Sequence, residues 1–257
     1  PAELGPYKAF SMILVPRHTP GVNILRDVPT LSHPDHRTGE PGGHAEILYE
    51  NVRVPKDSIV GGYEAGLGQG FALAQKRLGP GRIHHAMRWL GQSQRAFDML
   101  CERALSRRVR NGLLAEFQMT QEKIADSWID LEQFRLLVLR TAWKIDRYHD
   151  YKKVRGDIAA IKVLTPRVYH DVTQRAIQLH GALGVSNDLP LVGMMISAYS
   201  LGIADGPTEV HKITLAKQIL RDYRGSEGLF PSYHLPTARE AAKARFGELL
   251  EAEIGNL

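Results

Sequence analysis

The spacing of apolar positions changes once along the chain, near residue 63, and separates a strand-like segment from a helical one. Before the change, residues 9–15 form a short apolar run stopped by Pro16, and Val22-Asn23-Ile24-Leu25 follows a Thr19-Pro20-Gly21 turn. Ala45, Ile47 and Tyr49 then alternate with Glu46, Leu48 and Glu50 in an imperfect period of two. A polar, Gly/Pro-rich loop at 32–43 lies between these runs. Two or three strands cannot cover an apolar face by themselves. The expectation is therefore a partial β domain over 1–62. That the chain begins with Pro1 and not Met fits a protein that has been processed or cut.

After Gly66 the period becomes helical. Beyond a break at Gly79-Pro80-Gly81, Ile83, Met87, Leu90, Phe97 and Leu100 mark one long helix. Ile124, Trp128, Leu131, Val138, Ala142 and Ile145 mark a second. A third runs over about 156–183, with Ile158, Ile161, Val168, Val172 and Leu179 on one face and Pro166 expected to kink it or start a new turn. Shorter helices are expected at 189–201 and 207–223. Long helices on short connections give a mainly α, antiparallel bundle over 63–224. Residues 225–257 form a tail whose 237–254 stretch, rich in Ala, Glu, Arg and Lys, reads as a surface helix able to pack on a partner subunit.

Composition narrows the class. The 257 residues, 43% hydrophobic and 24% charged, suffice for a sizeable core in one large or two smaller domains. No apolar run approaches the roughly 18 residues of a membrane span, and the first residues lack a signal-like pattern. A single cysteine, Cys101, excludes an intrachain disulfide and fits a reducing compartment, the cytoplasm or an organelle matrix. Its neighbours Phe97, Leu100 and Leu105 make it a core residue before a nucleophile. The net charge of +5 permits an anionic ligand. Arg103, Arg107, Arg108 and Arg110 crowd a helix end, either as solvated cations on the negative pole of the dipole or as a diphosphate clamp.

Most catalytic motifs are missing from the sequence. Gly66-Leu67-Gly68-Gln69-Gly70-Phe71 has the wrong glycine spacing for a dinucleotide loop. No Walker loop, HExxH, cysteine pair or Gly-x-Ser-x-Gly elbow occurs. His84 and His85 point about 100° apart on a helix, and His33 and His36 have no further ligands nearby, so no metal is expected. The stretch that stands out is Ala204-Asp205-Gly206-Pro207-Thr208-Glu209-Val210-His211, an acid on a tight turn at the mouth of a helix, with Pro207 suited to the first helical position. From spacing alone, Asp205 is either a helix cap or a catalytic base.

Three segments together carry a family resemblance. The Asp205–His211 stretch, Leu78-Gly79-Pro80-Gly81-Arg82-Ile83-His84-His85, and Gln178-Leu179-His180-Gly181-Ala182-Leu183-Gly184-Val185 resemble the acyl-CoA dehydrogenases. The match is best to the branch of family members ten and eleven, in which the usual catalytic Glu is an Asp. The segments 15–22 and 49–55 resemble the second half of that family's middle β domain. Similarity runs from about Phe10 to Arg224, so the chain reads as the C-terminal half of such an enzyme.

The resemblance implies FAD-dependent oxidation of an acyl-CoA between its α and β carbons. Asp205 matches the base that takes the α proton. The family's alternative base position falls on Gly81, which has no acid. Arg82 and Gly206 match positions near the substrate. Arg107 and Gln118 match positions that reach a neighbouring subunit's FAD, Gln178 and Gly181 the adenine-diphosphate turn, and Pro207 and Glu209 the flavin side. Arg110-Asn111 departs from the Phe-Gly of many relatives. The implied partners are acyl-CoA, an electron-transfer flavoprotein or similar acceptor, and further copies of the chain as a dimer or tetramer. The same architecture also hosts a DNA-associated flavoprotein and could serve as a silent oligomerisation module. The mixed charges of 237–254, Arg239, Lys243 and Arg245 among Glu240, Glu248, Glu251 and Glu253, weigh against a nucleic-acid stripe.

Overall fold

The computed structural model describes residues 2–5, 7–31, 43–110 and 112–254. Two strands, β1 (Val22–Val28) and β2 (His44–Tyr49), precede a short helix α1 (Tyr63–Gly66) and the long α2 (Gly70–Ser106). A small hairpin, β3 (Arg108–Val109) and β4 (Gly112–Leu113), leads to α3 (Gln118–Tyr148), α4 (Arg155–His180), α5 (Leu191–Leu201), α6 (Thr208–Ile219) and α7 (Leu235–Ile254). The chain divides into two units, Pro1–Leu215 and Ala216–Leu257.

Within the first unit α4 is the central helix, touching α2, α3 and α5. Ile158, Ile161, Val168, Val172 and Leu179 are buried as their spacing predicts, but so are Ala159, Tyr169 and Ala176, because α4 is covered on more than one side. Leu100 from α2, Leu131 and Phe134 from α3, and Leu191 from α5 complete this core. Burying each such side chain contributes about 1.5–3 kcal/mol. Two members of the expected stripes lie at its edge and stay exposed, Met87 at 53% and Trp128 at 56%. Asp157 near the start of α4 receives Arg140 and Lys144 from α3, joining the two helices at one end. Cys101 packs against the core, and burial, then Asp98, raises the pKa of its thiol, which suits packing and not nucleophilic attack.

The expected break at Gly79-Pro80-Gly81 does not occur: α2 runs straight through it. An interior proline costs about 3 kcal/mol, comparable to what one or two buried side chains further along α2, such as Leu90 and Leu100, return. Neither flanking glycine faces open space. A Cβ on Gly79 would meet the Tyr151 ring at 3.5 Å, and Gly81 is buried. Pro166 likewise neither ends α4 nor divides it. The third helix stops at His180 and passes into a tighter 3₁₀ turn over Gly181–Val185.

In the N-terminal segment β1 and β2 pair antiparallel, Val22 opposite Tyr49 and Val28 opposite His44, with a bulge between Ile24 and Arg26. The 9–15 run is extended but is not a ladder strand. Its only bridge among the described residues is Ile13 with Ile59, and its backbone bonds go to Ser58, Val60 and Gly70. An apolar run alone does not reveal whether a pairing partner is in place. The Gly66–Phe71 glycines explain themselves here. A Cβ on Gly68 would lie 2.7 Å from the Lys8 carbonyl oxygen, and one on Gly70 2.8 Å from the Ser11 carbonyl carbon, so their lack of a side chain admits the N-terminal backbone. The 32–42 portion of the polar loop, including His33 and His36, and Asn111 lie outside the described residues.

Candidate active site around Asp205

The turn that presents Asp205 is built from two residues at positive φ, Asp205 at 57° and Gly206 at 103°. For a non-glycine residue this conformation costs roughly 1–2 kcal/mol, and it persists where surrounding contacts over-determine it. Those contacts converge on the Asp205 carbonyl oxygen, which accepts a bond from Arg82 Nε at 3.0 Å and one from His211 Nε2 at 3.3 Å. His211 is buried one turn into α6, and a Cβ on Gly206 would stand 3.0 Å from its Nε2. Thr208 closes the turn, its N–H and Oγ1 both donating to the Gly202 carbonyl.

Pro207 immediately precedes the first residue of α6, Thr208, and does not itself occupy the first helical position. The Asp205 carboxylate accepts no bond from the α6 amides among the described residues. Its Oδ2 instead approaches His85 Nε2 at 3.5 Å. The geometry therefore favours a side chain facing outward to a cavity over one that caps a helix.

Asp205 lines two cavities. One of about 750 Å³ is shared with Arg82, Gly206, His211, Phe71 and Tyr151. The other, about 220 Å³, is shared with His85, Arg88, Trp89, Lys162 and Ser197. Lys162 is only 3% exposed, and its Nζ donates to the carbonyl of Leu201, the last residue of α5. Burial lowers its pKa, Asp205 acts to raise it, and Arg82 lowers it further. Burial likewise lowers the pKa of Arg82, against the pull of Asp205 and with a smaller push from Arg155. An arginine starts high enough to stay charged regardless. His211 is pushed down by burial, countered by its bond to the Asp205 carbonyl.

The other residues singled out in the sequence lie on different elements. Arg107 caps the C-terminal end of α2, Gln118 opens α3, and Gln178 sits in the last turn of α4 just before Gly181, whose φ is 63°. None lines either Asp205 cavity. Arg107, Gln118 and Gln178 are exposed, and among the described residues their side chains have no hydrogen-bond partner. One turn before Arg107, Arg103 Nε is buried without a partner. Two guanidinium groups with uncommitted donors suit a diphosphate. Glu209 is exposed in the first turn of α6.

Sequence reasoning passed over Lys162, His211 and the link from Arg88 through His85 to Asp205. Lys162 carried a signal, being a charge four residues after Ile158 on the buried face of α4. His211 stood inside the conspicuous stretch but gained its role only from the fold. His84 and His85 have ring centres 6.0 Å apart, and among the described residues no group of three His, Cys, Asp or Glu could hold a metal ion. No helix among them is long and apolar enough to cross a membrane.

The α-helical bundle thus carries a carboxylate, held through its backbone oxygen and approached by one imidazole, on the wall of a ligand-sized cavity. The family model "Acyl-CoA dehydrogenase, C-terminal domain" matches residues 68–220. Over 207 residues, 80% of this chain, the sequence is 45% identical to "Probable acyl-CoA dehydrogenase FadE2" of Mycobacterium tuberculosis, of which it covers 48%. Over 216 residues, 84% of the chain, it is 41% identical to "Acyl-CoA dehydrogenase family member 11" of Rattus norvegicus, of which it covers 27%. The solved structure of a candidate acyl-CoA dehydrogenase from Mycobacterium abscessus superposes with a TM-score of 0.77 at 40% identity, covering 86% of this chain and 52% of that one. The chain belongs to the acyl-CoA dehydrogenase family. It spans about half the length of two of these relatives and about a quarter of the third.

Proposed function

We propose that the chain supplies the catalytic base and part of the cofactor and substrate sites for flavin-dependent α,β-dehydrogenation of an acyl-CoA thioester. The observation that carries this is Asp205: its backbone oxygen is doubly held by Arg82 and His211, while its carboxylate lines the larger cavity with Oδ2 3.5 Å from His85 and Oδ1 unpartnered among the described residues. A base needs a fixed position and an unoccupied lone pair. Asp205 takes the α proton of a thioester lodged in that cavity. Its side chain reaches about 1 Å less than a Glu, and a displacement of that size can cost on the order of a hundredfold in rate. Either the backbone turn or the substrate must therefore be shifted to compensate.

Arg107, assisted by Arg103, and Gln118, Gln178 and Gly181 would hold FAD, with Pro207 and Glu209 on its flavin side. Bound FAD supplies the acceptor for the β hydride. Arg107 acts on the FAD of a neighbouring copy, so the working unit is a homo-oligomer, and an electron-transfer flavoprotein or similar protein takes the electrons onward. Asp205→Asn in the full-length protein tests the reading. The nearly isosteric change should leave FAD and acyl-CoA binding in place while stopped-flow flavin bleaching falls by about 10²–10⁴, the usual worth of a general base. Bleaching at the wild-type rate would return Asp205 to a structural role.

A further inference from the structure

His85 lies between a permanent cation and the proposed base. Its Nδ1 is 3.0 Å from Arg88 Nη2, one turn further along α2, and its Nε2 is 3.5 Å from Asp205 Oδ2. A guanidinium carries donors only, so Arg88 donates and His85 Nδ1 must offer its lone pair. A neutral imidazole has a single ring proton, which is then on Nε2 and directed at Asp205. We infer that His85 is a positioning residue for Asp205: Arg88 fixes its tautomer, and its Nε2–H steadies Oδ2 so that Oδ1 remains for the substrate's α proton. This rests on the dehydrogenation reading above, in which Asp205 is the base.

Three further observations agree. Oδ1 has no hydrogen-bond partner among the described residues, and Asp205 borders both cavities while His85 borders only the smaller. The His85–Asp205 approach is just beyond hydrogen-bond range; catalytic contacts of this kind tighten once substrate is bound. The charges facing His85 also keep it neutral. Burial and then Arg88 lower its pKa, His84 and Lys162 add to the lowering, and Asp205 alone opposes. A second proton would have to sit on Nδ1, against the Arg88 guanidinium. The charged ring would also ion-pair with Asp205 and compete with the α proton for it.

The test uses the full-length, flavin-loaded protein, with butyryl-CoA and palmitoyl-CoA as probes, after melting temperature and flavin content have been matched. ¹⁵N NMR of the imidazole nitrogens, assigned with His85→Gln, should show the Nε2–H tautomer and, in Arg88→Met, a titration midpoint moved upward. Flavin bleaching at saturating probe should slow about tenfold in His85→Ala with little change in probe affinity. His85→Gln, whose amide N–H can take the place of Nε2–H, should recover most of that loss. Arg88→Met should lose part of the rate at alkaline pH, because the tautomer is no longer fixed, and lose more as pH falls, because the imidazole released from the guanidinium takes up a proton more readily. An Nδ1–H tautomer, a glutamine variant as slow as the alanine one, or an Arg88→Met rate equal to wild type at every pH would overturn the inference. Asp205→Asn run alongside separates the two levels. If it is inactive while His85→Ala is wild-type, only the positioning role fails; if it bleaches normally, the base assignment itself fails.

Discussion

Replacing Gly206 by alanine tests the turn that presents Asp205 with the smallest possible change. At φ 103° an added Cβ is strained whatever the space around it, and it would also arrive 3.0 Å from His211 Nε2. The backbone term is about 1–2 kcal/mol. His211 is 6% exposed and cannot easily withdraw, so its bond to the Asp205 carbonyl should lengthen or break, adding about 0.5–1.5 kcal/mol. Together these predict a loss of roughly 1.5–3.5 kcal/mol, which at about 2–4 °C per kcal/mol for a chain of this size lowers the melting temperature by about 3–14 °C. A turn displaced by a fraction of an ångström should also slow flavin bleaching by tenfold or more. Gly202→Ala is the control. Gly202 has an ordinary helical φ of −66°, and a Cβ there would meet the Tyr199 carbonyl oxygen at 3.3 Å. Scanning calorimetry and stopped-flow absorbance read both quantities. If Gly206→Ala melts no lower than Gly202→Ala and bleaches at the wild-type rate, the turn does not position Asp205.

Other consequences are open to measurement. Arg107→Ala in the full-length oligomer should lower FAD occupancy, read from the flavin-to-protein absorbance ratio; unchanged retention would make the arginine cluster a solvated helix end. His211 and His85 have folded-state pKa values below the ordinary 6.5, so between those values and 6.5 the unfolded chain binds more protons than the folded one. Stability should therefore be fully present above pH 6.5 and decline on acidification below it, and His211→Gln should flatten that slope in urea titrations run at several pH values. Leu131→Ala should cost about 2–5 kcal/mol, whereas Met87→Ala, at an equally apolar but half-exposed position, should cost well under half as much by urea denaturation.

The helical bundle and the Asp205-Gly206 turn were legible because each rests on a local rule: apolar spacing for the helices, and a turn-forming Asp-Gly pair ahead of a Pro for the turn. What was not legible depended on distant partners. Pro80 is a breaker by every local criterion, yet α2 continues because the buried side chains beyond it offset its cost. Trp128 and Met87 obey the helical period but lie where the stripe meets open surface. Arg82 was placed near the substrate by resemblance alone, and the structure gives it a physical task, holding the Asp205 carbonyl from a position 123 residues away in the chain. His211 shares that task, and no spacing rule links its imidazole to a carbonyl six residues earlier.

The uninterrupted α2 also works as a measuring rod. Arg82 and Arg107 stand at two points of one helix, and at 1.5 Å per residue they are separated by roughly 37 Å along its axis. Neither side chain can span that interval, so within one copy of the chain the cation beside the Asp205 cavity and the cation at the far end of α2 address different ends of the molecule. Their distance and angular phase are set by the number of residues between them. One residue inserted beyond Arg88 would turn Arg107 by about 100° and advance it by about 1.5 Å, aiming the far guanidinium elsewhere while Arg82, His85 and Arg88 keep their places beside Asp205.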